Sequence, residues 1–239
     1  MKMITTDLNN YSEINFAAGE VILFDKLEGF SSFNVVNRVR RLINVKKVGH
    51  AGTLDPLATG LLILCTGKKT KEIYKYQDLP KVYTGIISIG KRTPSMDSET
   101  EFTEEKDISG VTSEQIEETR KSFLGEIEQV PPMYSAIKHN GKSLYHYARK
   151  GKMITREARK VEIYDFKITE VNLPDIHFEI KCSKGTYIRV IADDFGQKLG
   201  CGGYLKKLRR TAIGDYNVEN AFTVEQFIEF FEENNKHFI

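Results

Sequence analysis

The chain has 239 residues, of which 40% are hydrophobic and 28% charged, enough apolar material for one sizeable core. That balance excludes disorder as the main state, and no run approaches the roughly 18 apolar residues that a membrane helix needs. The formal net charge of +2 excludes neither an acidic nor a basic partner until the charges are placed along the chain.

Residues 1–19 lack the basic start and apolar run of a secretory leader, which predicts a cytoplasmic protein. Glu20 to Lys26 reads as a buried strand through Val21, Ile22, Leu23 and Phe24, broken by Gly29. Ser31 or Ser32 caps a helix in which Phe33, Val36, Val39 or Arg40, and Ile43 recur at helical spacing, with Arg38, Arg40 and Arg41 about the polar face. Lys46 to Gly60 reads as a loop leading into the apolar run Leu61 to Cys65, and Lys81 to Gly90 reads as a strand. Thr112 to Gln115 is a capping box that opens a helix within an acidic stretch. After Pro131, Pro132 and the Asn140-Gly141 pair, a short basic helix is expected over about Lys142 to Lys150, ending at Gly151.

Val161 to Val171 and Ile176 to Cys182 follow as strands that pair, the second alternating through Ile176, Phe178, Ile180 and Cys182. Tyr187 to Leu199 is helical by period, and Thr223 to Gln226 caps an amphipathic last helix. Helices and strands mix without strict βαβ alternation, so the expectation is an α+β fold with a mixed, mainly antiparallel sheet flanked by helices.

Charge is segregated along this order. Residues 20–82 hold 11 basic and 6 acidic groups, 97–128 hold 3 and 11, 138–160 hold 8 and 1, and 181–210 hold 8 and 2. Basic blocks converging on one face would suit a polyanion, and solvated helix faces suit the same counts. Cys65, Cys182 and Cys201 are odd in number and widely spaced, which predicts free thiols and no zinc site. The sequence contains no GxxxxGK[ST], GxGxxG, HExxH or GxSxG, and its five histidines, His50, His139, His146, His177 and His237, are scattered. Nucleotide hydrolysis, hydride transfer and zinc catalysis therefore drop out.

The unusual stretch is Gly49 to Gly60, GHAGTLDPLATG, in which glycines frame the carboxylate of Asp55 between a basic helix and a buried strand. On residues alone, Asp55 before Pro56 is also an ordinary helix start, His50 a loop histidine, Tyr83 a core aromatic and Arg189 a surface cation.

These blocks resemble the bacterial TruB-type tRNA pseudouridine synthases. The likeness runs through Val21 to Ser32, Gly49 to Gly60, Gly67 to Lys71, Lys81-Val82-Tyr83, Gln129 to Lys138, Lys142 to Gly151, Arg156 to Val161, Cys182 to Asp194, and Leu208 to Arg210. The resemblance implies the pseudouridine synthase fold over a single catalytic domain, 1–239, with an RNA-clamping insertion at about 131–159. It implies isomerisation of uridine 55 in the tRNA T loop to pseudouridine, by a monomer that needs neither cofactor nor metal. A catalytically silent tRNA-remodelling module, or the same reaction on another RNA, remains the alternative.

By position, the resemblance makes Asp55 the catalytic aspartate and Arg189 its partner. Tyr83 becomes the aromatic on the target base, and His50 the ring that fills the place of the flipped uridine. Lys26, Lys71 and Leu208 match pocket residues, and Tyr187, Lys150, Lys152 and Arg159 match residues toward the RNA. Basic blocks around 38–47, 68–81, 138–160 and 206–210 are expected to grip phosphates. Two departures stand out: Leu27 occupies a position where the family often has Pro, and no separate C-terminal PUA-type domain is expected after the last helix.

Overall fold

The computed structural model describes residues 3–8, 11 and 14–234; His237 lies outside them. Two compact units divide the chain, Met1–Tyr83 with Leu208–Ile239, and Thr84–Lys207.

The first unit opens with β1 (Val21–Lys26), α1 (Ser32–Leu42), β2 (Val48–His50), β3 (Thr59–Thr66), α2 (Ile73–Gln77) and the first residues of β4 (Lys81–Ile89). Ser31 caps α1, its hydroxyl accepting from the Asn34 amide while the Asn34 side chain accepts from the Ser31 amide. The stretch read as one loop, Lys46 to Gly60, contains a strand. β2 pairs antiparallel with β3, His50 opposite Leu64, and its three residues are too few to leave an alternation in the sequence.

The second unit contains β5 (Lys91–Arg92), β6 (Glu104–Glu105), α3 (Ser113–Lys121), β7 (Gly125–Gln129), β8 (Lys138–His139), β9 (Lys142–Ser143), α4 (Leu144–Ala148), β10 (Arg159–Asn172), β11 (Asp175–Cys182), α5 (Ile188–Lys198) and the start of β12 (Gly203–Ile213). Its strands run in the order β4-β11-β10-β7, with β10 antiparallel to both neighbours. Phe123, Phe166, Phe178 and Phe195 interlock beneath α3 and α5 with ring centroids 6.0–6.2 Å apart. The Thr112–Gln115 capping box is present. The basic helix expected over Lys142 to Lys150 is shorter, because Asn140 (φ 48°) and Gly141 (φ 77°) turn the chain into the β8–β9 hairpin and Lys142 belongs to a strand.

The chain then returns to the first unit along β12, which runs parallel to β3 with Arg210 opposite Gly60. The described residues close with β13 (Tyr216–Asn217) and α6 (Val224–Asn234). The Thr223 hydroxyl accepts from the Gln226 amide at 3.1 Å, and the Gln226 side chain accepts from the Thr223 amide at 2.8 Å.

The two-residue period of β1 and β3 builds this unit's core. Ile22, Phe24, Leu62 and Leu64 face α1 and α6, meeting Val35, Val36, Val39, Phe227 and Phe230. Val21, Leu23, Leu61, Ile63 and Cys65 face the other way, toward Tyr76 and Ile213. Both faces are buried, which is why these strands read as continuous apolar runs. The fold is α+β with a mixed, mainly antiparallel sheet.

Candidate active site

In the first unit, Asp55 opens a tight turn: the Ala58 amide donates to its carbonyl at 3.0 Å, and β3 begins one residue later. Asp55 does not start a helix; Pro56 fixes the second position of this turn. The residues on either side are bolted down. The Leu54 amide donates to the Ser32 hydroxyl at 2.9 Å, and that hydroxyl donates back to the Leu54 carbonyl at 3.2 Å. The Pro56 carbonyl accepts from the Gly29 amide at 2.9 Å. The half-buried Asp55 carboxylate is thus carried on a loop with few degrees of freedom.

Two buried cations organise the same loop. Lys26 is 1% exposed, and its ammonium donates to the carbonyls of Phe30 (2.7 Å), Leu27 (3.0 Å) and Pro56 (3.4 Å). Burial pulls its pKa down to about 8, against the attraction of Asp55, which holds the proton on. Arg210 is also 1% exposed and donates to the carbonyls of Leu61 (2.7 Å) and Gly52 (3.2 Å). Gly60, at φ 103°, lies so close to the Arg210 backbone that any Cβ would overlap it. Burial, and the repulsion of Arg210, lower the pKa of His50 on β2 and keep its ring neutral. Tyr83 is buried at 9% exposure, Leu208 is half-buried, and Lys71 is exposed on the 3-10 turn Gly67–Glu72.

In the second unit, Arg189 is 4% exposed on the first turn of α5, and its Nη1 donates to Asp97 Oδ2 at 3.4 Å. Asp97 is fully buried; burial pushes its carboxyl up, while hydrogen bonds and the Arg189 charge work in the opposite direction. Tyr187 exchanges two backbone hydrogen bonds with the buried Gln129 side chain, at 3.0 and 3.2 Å. Its ring centroid lies 4.8 Å from the Arg159 guanidinium and 5.8 Å from that of Arg189. Arg159 also donates to the Gly185 carbonyl. Lys150 and Lys152 are exposed.

Some of the expected phosphate grips are already committed inside the protein, by burial or by an ion pair. Arg210 is enclosed, Lys81 is 5% exposed and closes the end of α2 through the carbonyls of Tyr76, Gln77 and Leu79, and Arg209 forms a fork on Asp25 at 2.7 and 3.0 Å. A run of cations in sequence does not reveal which ones have internal acceptors. The sequence reading missed Asp97 because it stands at the head of an acidic stretch whose other members are largely exposed. It missed the positioning role of Arg210 because nothing local distinguishes it from Arg209.

Residues 40–188 match the model of the TruB family pseudouridylate synthase N-terminal domain, more than half of the chain. The chain belongs to this family. Residues 189–237 match the tRNA pseudouridylate synthase B C-terminal domain. Among curated relatives of this TruB-family chain, tRNA pseudouridine synthase B of Chloroherpeton thalassium is 51% identical over 216 residues, 88% of this chain and 90% of the relative. The protein of that name from Flavobacterium johnsoniae is 49% identical over 221 residues, 90% of this chain and 96% of the relative. A solved Cbf5-Nop10-Gar1 complex contains a similar chain, at a TM-score of 0.72 and 26% identity, covering 98% of this chain and 62% of that one. The TruB-family chain is an enzyme, a pseudouridine synthase, and its fold is that of the Cbf5 synthases.

Proposed function

We propose that this synthase isomerises uridine 55 in the T loop of tRNA. The family, and relatives named as tRNA pseudouridine synthases, support the substrate class. The observation that carries the reading is the Asp55 turn, held on both sides by Ser32, Gly29 and Lys26.

Pseudouridine formation breaks the bond from N1 to C1′, rotates the uracil and joins C5 to C1′. The proton lost from C5 is balanced by one gained at N1, with no redox change. Asp55 serves the sugar, as nucleophile at an oxocarbenium-like C1′ or as base at C2′. Lys26 reaches the Asp55 loop through the Pro56 carbonyl, and its charge favours the ionised carboxylate. Tyr83 offers its ring to the extruded base and its hydroxyl to the C5 proton. His50, neutral and five residues before Asp55, fills the gap in the loop stack. Leu208 and Lys71 complete the pocket, and the role of Arg189 toward Asp55 rests on the family resemblance. The segment 131–159 grips the RNA through Lys150 and Lys152, with Arg159 and Tyr187 bracing its end.

The test is pseudouridine mapping on a tRNA transcript incubated with the protein alone, beside Asp55→Asn. Modification at uridine 55 that vanishes in the variant while RNA binding persists is the expected result. Modification elsewhere, or an active Asp55→Asn, overturns the reading.

A further inference from the structure

Within the second unit, residues 93–100 form a compact turn around the buried Asp97. The Thr93 hydroxyl donates to the Asp97 carbonyl at 2.6 Å, the Ser95 amide donates to the Thr100 hydroxyl at 3.1 Å, and Met96 takes a left-handed φ of 64°. The Leu205 amide donates to the Met96 carbonyl at 3.0 Å. These bonds fix the backbone of the turn that carries the Asp97 carboxylate. Asp97 Oδ2 accepts from Arg189, and its Oδ1 accepts from the Glu99 amide at 3.0 Å.

The side chain of Glu99 leaves the turn in the opposite sense. Its Oε1 accepts from the Tyr145 hydroxyl at 2.6 Å, and Tyr145 sits on α4, inside the 131–159 segment. The Tyr145 ring meets Tyr134 edge to face at 5.8 Å and carries the Arg149 guanidinium at 4.8 Å. Hydrogen bonds at the two ends of Glu99, its carboxylate on Tyr145 and its backbone amide on Asp97, therefore link α4 to Arg189. Glu99 is exposed, and an exposed carboxylate in an ordinary surface position is left to water.

We propose that Tyr145 is a positioning residue for the reaction, its hydroxyl on Glu99 coupling the RNA-gripping segment to the turn that sets Arg189. The inference rests on the functional reading above. Seating of RNA against α4 fixes the Tyr145 ring, fixes Glu99 through a charge-assisted bond, and so holds the Asp97 carboxylate and the Arg189 guanidinium in one arrangement. The step from binding to chemistry then depends on a bond that touches neither the reacting base nor its sugar.

The experiment measures single-turnover pseudouridine formation at saturating tRNA, together with the tRNA dissociation constant, for Tyr145→Phe, Glu99→Ala, Glu99→Gln and the Tyr145→Phe/Glu99→Ala double variant. Loss of the hydroxyl should slow the saturated rate by about threefold to tenfold and leave the dissociation constant within about twofold. Glu99→Ala should match it, the double variant should be no slower than either single one, and Glu99→Gln, whose amide oxygen still accepts, should recover most of the rate. A rise in the dissociation constant with an unchanged saturated rate would make Tyr145 an RNA contact and overturn the proposal. Multiplying effects in the double variant would overturn it equally. A wild-type protein that forms no pseudouridine in tRNA would instead sink the functional reading, which separates the two failures.

Discussion

The Lys26 ammonium donates to the carbonyl of Pro56, and Pro56 is the residue that follows Asp55. One buried charge thus ties β1, the Leu27–Phe30 bend and the Asp55 turn together, and its own proton is weakly held, with a pKa of about 8 against 10.5 for a free lysine. The fold binds this proton less tightly than the unfolded chain does. Its charge therefore costs stability below pH 8, and that cost disappears between pH 8 and 10.5, so on this group's account stability rises through that window. The rate should move oppositely. Above about pH 8 the loop loses a donor shared by three carbonyls and a charge that favours ionised Asp55. Single-turnover rates should show an alkaline limb near pH 8, and Lys26→Met should be slow and flat across the same range. A limb that persists in the Met variant comes from another group.

Arg189 presents a guanidinium, which a lysine cannot imitate, to a buried carboxylate. Arg189→Lys keeps the charge and loses the planar fork. The rate at saturating RNA should fall by more than the affinity does, on the order of tenfold or greater for one displaced charged hydrogen bond. If affinity falls while the saturated rate holds, Arg189 serves the RNA backbone and not the reaction.

The parts of this arrangement that were legible in the sequence are those set by local chemistry. A continuous apolar run located β1, two-residue alternation β11, and period-3.6 patterns α1 and α5, and two capping boxes marked the starts of α3 and α6 to the residue. Gly60 stood out as one of the glycines framing Asp55, but its reason, the Arg210 backbone against it, belongs to a strand 150 residues away in sequence. That strand, β12, was itself illegible: in GYLKKLRRTAI, adjacent pairs of cations hide the alternation. Arg209 and Arg210 show why. One reaches out to Asp25 and the other inward to backbone carbonyls, and only the three-dimensional acceptors distinguish them. Asp97 escaped for the same reason, since its importance derives from Arg189, 92 positions away.

The basic segment divides into cations that solvent can reach and others, Arg156 and Arg159 among them, that the protein already uses. Lys150 and Lys152 are exposed, whereas Arg159 is committed to Gly185 and the Tyr187 ring. Changing Lys150 and Lys152 together to Gln should weaken binding of every RNA and reduce the slope of log affinity against log salt by about 1.5 to 2, since each phosphate contact releases counterions. Arg159→Gln should leave that slope nearly unchanged and disturb the Tyr187 end of α5. Filter binding between 50 and 200 mM salt, a range over which phosphate contacts tell strongly, reads both outcomes. Equal slopes for all the variants would place the segment away from the RNA.

His50 allows base extrusion to be separated from bond making. Burial, with Arg210 nearby, holds its ring in the neutral form, and its strand is pinned to β3 opposite Leu64. A neutral, fixed ring is suited to stacking in a space vacated by a base and is poorly placed to shuttle protons. Its lowered pKa also has a sign: the fold resists protonating it, so stability attributable to His50 falls as pH drops below about 6.5, the ordinary histidine value. The rate, if stacking is its task, should show no inflection from His50 between pH 6.5 and 8. With His50→Ala, a fully structured T arm should react markedly more slowly, because extruding a stacked base costs a few kcal/mol that nothing then offsets. A stem-loop loosened by mismatches has already lost part of that stacking and should suffer less. Single-turnover rates on the two substrates, each at saturation, give the comparison. Equal losses on both, or a loss that follows ring protonation, would assign His50 to proton transfer instead.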